Sequence, residues 1–269
     1  MDQEGKICVA AAGYSCVDYY EKTDKYYPTG NGVDWGVHLS RLGIPVSVIT
    51  AVGDDRFGEE MRRMLEKENI DVTHLHVKKG KTCFQKMDLK NGTDRVHLEA
   101  VEGVMSDYEL TEDDKEYIKS FSYVHTDLFG NVLKDLAEFK KAGVQVILDY
   151  SIYSDDPKYN SIENFKNTDY AFLSYSKEDD YILEHIKKIH SYGPKIVTAT
   201  LGENGSISYD GEKYYRCGIV QADVVNSVGP GDSYIAGFTY GIINGWDIQK
   251  CQQKGAEISA AVISKFEPY

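Results

Sequence analysis

The 269-residue sequence predicts an α/β fold: one domain, residues 1–269, with a mostly parallel central sheet, helices on both faces and a small β-sheet lid. Three observations point there. From Tyr123 onward, short apolar runs alternate with amphipathic stretches, the rhythm of strand–helix–strand units. Earlier, Cys83–Ala100 alternates apolar and polar residues on both sides of Asn91-Gly92, the pattern of a half-buried hairpin. No internal repeat or low-complexity linker divides the chain.

The elements follow in order. Ile7–Ala12 reads as a buried strand ending at Gly13. A helix runs from the Thr29-Gly30-Asn31-Gly32 turn to Leu42 and ends at Gly43. Val46–Val52 is a second buried strand. Phe57–Glu68 is a helix with Phe57, Met61, Met64 and Leu65 on one face. The Tyr-rich stretch Tyr19–Tyr27 is expected to add a strand to the lid, whose elements fall at about residues 14–30 and 80–101. Tyr123–Thr126, Val144–Leu148, Tyr170–Leu173 and Ile196–Thr200 read as sheet strands. Leu133–Lys141, Ile162–Phe165 and Glu178–His190 read as helices between or after them. Ser206–Tyr209 and Tyr214–Arg216 flank an Asp210-Gly211 turn, and helices Gly231–Asn244 and Ile248–Lys265 close the chain.

Composition narrows the function. With 30 basic and 43 acidic residues the formal charge is −13, which argues against a nucleic-acid or membrane-surface binder but leaves a nucleotide substrate open. The five cysteines form no C-x-x-C pair and read as reduced thiols of a cytoplasmic protein. No apolar run approaches the roughly 20 residues that cross a bilayer, and the Met-Asp-Gln-Glu opening has the wrong charge for a signal peptide. His74-x-His76 has metal-ligand character, but two histidines alone do not lead us to expect a zinc site. The acidic run Glu112–Asp114 reads as a solvated helix start.

The segment most informative about chemistry is Val225–Phe238, where the Gly-rich turn Gly229-Pro-Gly-Asp232 feeds a helix. Backbone N–H groups at a helix start are unpaired, and the helix dipole favours an anion there. A transferring phosphoryl group could sit on Gly229 and Gly231, with Asp232 taking the proton of an attacking hydroxyl. Taken alone, the pattern also fits an ordinary helix N-terminus with an aspartate in its first turn. It is not a Walker loop, since no Gly-Lys-Ser/Thr follows.

Asn226-Ser-Val-Gly-Pro-Gly-Asp232 resembles the C-terminal signature D-T-x-G-A-G-D of the ribokinase-like (phosphofructokinase B type) carbohydrate kinases. Other landmarks stand in the family's order. Gly30-Asn-Gly-Val-Asp34 resembles its G-G-x-x-x-N, Gly53-Asp-Asp-Arg-Phe-Gly58 its G-x-D-x-x-G, and Thr200-Leu-Gly-Glu-Asn-Gly205 its T-L-G-x-x-G turn. Gly13–Asp18, Glu102–Asp114 and Leu201–Ser206 are similar to the fructoselysine 6-kinase branch.

The resemblance implies a three-layer α/β/α kinase using ATP and Mg2+ on a small sugar or sugar-amine, most simply fructoselysine. Another sugar or nucleoside, such as fructose or ribose, remains open, as does a catalytically weak sugar-binding homologue. It further implies that Asp18, Gly30, Asn31, Asp34, Phe84 and Gln85 hold the substrate, that Thr200, Gly202, Gly205 and Gly231 line the nucleotide, and that Glu178 acts on hydrated magnesium through water. A homodimer through the lids, without nucleic-acid or membrane partners, is implied too. Four departures stand out. Pro230 replaces an alanine and removes an N–H. Asn226 replaces an aspartate that supports a monovalent cation. Asp34 replaces an asparagine that grips sugar hydroxyls. Glu257-Ile-Ser-Ala-Ala261 lacks the usual nucleotide-helix asparagine. Near Glu178 the family's asparagine partner is also missing, since the segment reads Ser174-Tyr-Ser-Lys-Glu178.

Overall fold

The computed structural model describes residues 7–90, 94–225 and 229–269. Its elements are, in chain order, β1 (Val9–Ala12), β2 (Cys16–Tyr20), β3 (Lys25–Thr29), α1 (Asn31–Arg41), β4 (Val46–Gly53), α2 (Arg56–Lys67), β5 (Leu75–Lys78), β6 (Phe84–Lys90), β7 (Asp94–Val101), α3 (Glu112–Ile118), β8 (Tyr123–Asp127), α4 (Leu136–Lys141), β9 (Gln145–Asp149), α5 (Ile162–Lys166), β10 (Tyr170–Ser174), α6 (Asp180–His190), β11 (Ile196–Thr200), β12 (Ser206–Tyr209), β13 (Tyr214–Cys217), α7 (Pro230–Ile243) and α8 (Ile248–Ile263).

The main sheet has the order β13-β12-β11-β10-β9-β8-β1-β4-β5. Strands β11 through β5 in that order pair in parallel, and β12 and β13 add an antiparallel hairpin at one edge. A parallel sheet must be covered on both faces, so its central strands read as continuous apolar runs. Every residue of Val46–Gly53 is buried accordingly. Alternate residues feed two cores. Ala10 and Ala12 of β1 face a core with Ile118, Phe139, Phe165 and Ile186, so α3 to α6 cover that face. Val9 and Ala11 face Trp35, Met61, Phe238 and Cys251, so α1, α2, α7 and α8 cover the other. Phe238 meets Phe172 of β10 edge to face at 5.3 Å between ring centroids. Truncating such a buried ring to alanine costs about 3–5 kcal/mol.

From β1 the chain builds outward through β4 to β5, and from β8 it builds the other way through β9 to β11. Loops leaving β1 and β8 therefore diverge, which opens the crevice where such sheets bind ligands, beyond the strands' carboxyl ends. The two loops touch at their bases: a Cβ on Gly130 would lie 2.4 Å from the Gly13 Cα, so only glycine fits there.

The lid is a separate four-stranded sheet, β3-β2-β6-β7. Two excursions of the chain make it. One leaves after β1 and returns through Gly30 into α1; the other leaves after β5. They join where β2 pairs in parallel with β6, with Val17 opposite Phe84, Asp18 opposite Gln85 and Tyr19 opposite Lys86. The Asn91-Gly92 turn lies outside the described residues. Tyr19, Tyr26 and Phe84 converge on Phe57 of α2, at 5.3, 5.5 and 5.5 Å between centroids, and pin the lid's base.

Some expectations need correction. The bounds of strand β5 and helix α3 were not foreseen, because each is short and only one or two of its residues are buried. Asp114 is not a solvated charge. It is wholly buried, forms a reciprocal cap with Thr111 and accepts hydrogen bonds from two histidines. Helix α6 begins at Asp180 rather than Glu178, because the Asp179 side chain caps it by accepting from the Ile182 N–H.

Candidate active site

Helix α7 opens on Gly229, which is left-handed (φ 78°), with Pro230, Gly231 and Asp232 forming its first turn. The first N–H bonded within the helix is that of Ser233, which donates to Gly229 O at 3.0 Å. The N–H groups of Gly231 and Asp232 thus point out of the helix start, and Pro230 contributes none.

This turn borders a cavity of about 150 Å3. Gly231 and Asp232 line it together with Asn31 at the start of α1, Asp149 ending β9, Ser174 ending β10 and Thr200 ending β11. It therefore lies at the carboxyl ends of the parallel strands. Asn31 is placed there by Gly30 (φ 127°), whose missing side chain lets the chain pass Tyr14 O; a Cβ would approach that oxygen to 2.8 Å. The Asn31 amide donates to Asp149 Oδ2 at 2.9 Å, and the Ser151 N–H donates to Asp149 Oδ1 at 2.8 Å.

The surroundings are acidic. Burial pushes the Asp232 carboxyl well above the usual carboxylate range, and the nearby charges of Asp34, Asp149 and Asp127 push it the same way. Asp232 Oδ1 is out of solvent and has no hydrogen-bond partner among the described residues. Burial also raises Asp127, to about 6, against the N–H groups of Phe129 and Gly130 that donate to its Oδ1 at 2.6 and 3.1 Å. Asp149 is raised by burial as well. Asp34 is buried in the first turn of α1 and accepts from the Thr29 hydroxyl at 2.7 Å. Several converging carboxylates, with bare buried oxygens on Asp127 and Asp232 among the described residues, form the hard-oxygen environment that suits a hydrated divalent cation such as Mg2+.

Of the residues singled out from sequence, Asn31, Thr200, Gly231 and Asp232 meet at this cavity, and Asp34 acts on it electrostatically. Gly202 and Gly205 shape the turn after β11, where Leu201 N–H donates to Gly205 O at 2.7 Å. Asp18, Phe84 and Gln85 belong to the lid. Asp18 is buried on β2, Phe84 packs on Tyr19 and Phe57, and Gln85 donates to Lys86 O at 3.3 Å. Glu178 does not line the cavity. Arg216 of β13 grips both its oxygens at 2.6–2.9 Å and holds its carboxyl below the usual range. Asn226 lies outside the described residues. Sequence reading missed Asp127, Asp149 and Ser174. Their signal was a polar residue ending an apolar strand, as in Val146-Ile-Leu-Asp149.

The family model described as pfkB family carbohydrate kinase matches residues 6–269. Fructoselysine 6-kinase of Escherichia coli (strain K12) is 33% identical over 255 residues, which cover 95% of this chain and 97% of that protein. A fructosamine kinase of Bacillus subtilis (strain 168) is 30% identical, over 93% of this chain and 88% of its own length. Among solved structures, Arabidopsis thaliana ribokinase complexed with ribose and ATP superposes with a TM-score of 0.84 at 19% identity, covering 97% of this chain and 94% of that one. Ribokinase from Thermotoga maritima gives 0.81 at 15% identity, over 97% and 94%. At such identities these two speak to the fold alone.

Proposed function

Because the chain belongs to the pfkB family of carbohydrate kinases, phosphotransferases that act on a sugar hydroxyl, we propose that it transfers the γ-phosphate of ATP to fructoselysine, giving fructoselysine 6-phosphate. The observation that carries this reading is Asp232: a carboxylate at the start of α7, its basicity raised by burial and by three neighbouring aspartates, beside outward-pointing N–H groups. The curated relatives supply the substrate class.

In this reading Asp232 accepts the proton of the substrate hydroxyl as its oxygen attacks the γ-phosphorus, and ADP departs with the electrons of the broken P–O bond. The Gly231 and Asp232 N–H groups and the α7 dipole stabilise the charge on the transferring group. Asp149, which lines the cavity, and Asp127, whose charge acts on Asp232, would hold the water shell of Mg2+, which when bound neutralises phosphate charge. Thr200 and the Gly202–Gly205 turn take the nucleotide. Asp18, Gly30, Asn31, Asp34 and the lid residues Phe84 and Gln85 take the sugar. Glu178, paired with Arg216, has no part in this scheme.

The reading also includes a cytoplasmic location and a homodimer joined through the lids. No helix among the described residues is long and apolar enough to cross a membrane. Leu98 of β7, 60% exposed, supports a covered lid face. Light scattering that gave only monomer at working concentrations would remove the dimer. The deciding assay couples ADP release to a substrate panel of fructoselysine, fructose, ribose and a ribonucleoside, with mass spectrometry of the product. We expect the highest kcat/KM on fructoselysine. A higher value on another acceptor would reassign the substrate, and no turnover on any would leave a sugar-binding homologue.

A further inference from the structure

The far edge of the main sheet carries a cluster the kinase reading does not use. His74 precedes β5 and His76 lies within it, so a two-residue spacing in extended chain turns both rings to one side. Asp114, in the first turn of α3, meets them there. His74 Nδ1 lies 2.6 Å from Asp114 Oδ1, and His76 Nε2 lies 2.8 Å from the same oxygen and 3.0 Å from Oδ2. The two nitrogens and a carboxylate oxygen all fall within 4.8 Å of one another.

Asp114 and His74 are each held by a residue outside the cluster. The Thr111 N–H and hydroxyl donate to Asp114 Oδ2 at 2.9 and 2.7 Å, which fixes the carboxylate and leaves Oδ1 turned to the rings. The His74 ring stacks on Tyr117 at 4.0 Å, 9° from parallel, and the Tyr117 hydroxyl is tied to Asp71 Oδ2 at 2.6 Å. Asp114 is wholly buried and His74 nearly so, while 35% of the His76 side chain is exposed and gives an entry path.

We propose that His74, His76 and Asp114 form a binding site for a zinc-class divalent cation that clips edge strand β5 to α3. Two imidazoles and one carboxylate form a donor set that zinc takes, with water filling a fourth position on the exposed side. Metal–ligand distances of about 2.0–2.2 Å set ligand atoms roughly 3.3 Å apart in a tetrahedron, so the closest pairs open by well under 1 Å. The protons the rings now share with Oδ1 leave as the metal enters. Nitrogen donors select against Mg2+. Because β4, β1 and β8 separate β5 from the strand ends that line the kinase cavity, the site stands independently of the proposed activity.

The test uses the whole chain after treatment with a chelator. Titration with Co2+ should give the visible absorption bands of a four-coordinate site, saturating at one equivalent. Zn2+ should displace the Co2+ and raise the melting temperature. His76→Ala should weaken Co2+ binding by at least about tenfold, since even outer partners of metal ligands are worth 10–100-fold, and should abolish the zinc-dependent rise in melting temperature. His76→Gln provides a second variant with the same expectation. Asp232→Asn should bind as the wild type does. Absence of the bands in the wild type, or equal binding by both His76 variants and the wild type, would overturn the assignment. Loss of binding in Asp232→Asn instead would place the cation in the kinase cavity.

Discussion

Asn31 and Asp149, 118 residues apart, meet through a 2.9 Å hydrogen bond from the Asn31 side-chain amide to Asp149 Oδ2. That bond joins the first turn of α1 to the end of β9 on the wall of the cavity. With Ser151 N–H on its other oxygen, Asp149 is held in place, and both donors pull its raised pKa back down. Asp232 differs. Its Oδ1 has no partner among the described residues, so one of the two carboxylates is anchored and the other can accept a proton.

Asp232→Asn should fold as the wild type does and lose roughly 10²–10⁴ in kcat, the usual contribution of a general base. Burial and the negative charges of its neighbours raise its pKa, so activity should climb with pH along an acid limb displaced above the ordinary aspartate range. Asp149→Asn removes one of those charges and should shift the limb to lower pH. Steady-state kinetics across pH checks both, and near wild-type turnover by Asp232→Asn would refute the assignment.

Pro230 denies the start of α7 one N–H. Pro230→Ala restores it at a helix-compatible position. We expect a higher kcat, by no more than about tenfold, with KM little changed: removing an oxyanion donor elsewhere costs about 10²–10³, but a metal would share the charge here. A flat or lower kcat in the folded variant would mean that this donor does not limit turnover.

Asp34 is a buried carboxylate in the first turn of α1, which the proposed function assigns to the substrate. Fructoselysine carries a secondary amine that is protonated at neutral pH, and a charge-assisted hydrogen bond to it is worth roughly 1.5–3 kcal/mol. Asp34→Asn should therefore cut the preference for fructoselysine over fructose by about one to two decades in kcat/KM. If discrimination is unchanged, Asp34 is not the amine's partner.

His125 is fully buried against Trp35, with ring centroids 4.8 Å apart, and neither ring nitrogen has a hydrogen-bond partner among the described residues. Burial lowers its pKa to about 3. The unfolded chain, near 6.5, takes up a proton that the folded chain refuses. The stability that neutral His125 supports is complete above pH 6.5 and falls as the solution is acidified towards 3. At pH 5 the loss is about 2 kcal/mol. Denaturant unfolding of His125→Phe should show a loss between pH 7.5 and pH 5 smaller by about that amount, and an identical pH dependence would contradict the burial argument.

The sheet was legible in sequence because parallel strands buried on both faces, such as Val46–Gly53, leave long apolar runs. The α7 start was legible because Gly-Pro-Gly-Asp is a local pattern. Asp149 and Asp127 were hidden for the opposite reason. Each is the last residue of its strand, and only the sheet order brings them to Asp232. Asp114 misled because an acidic run at a helix start looks solvated, and nothing local announces two histidines arriving from β5. Nothing local to Glu178 announces its partner either, since Arg216 arrives from 38 residues on.

The parallel seam of the lid, Val17–Tyr19 against Phe84–Lys86, also orders events in time. Neither excursion makes this sheet alone, because an isolated two-stranded hairpin is marginal in water. The seam closes only after β4, α2 and β5, all encoded between its two halves, have brought its ends together, and long loops are slow to close. On a growing polypeptide the framework around β1, β4 and β5 takes shape first. By this topology the lid sheet is expected to be the later acquisition.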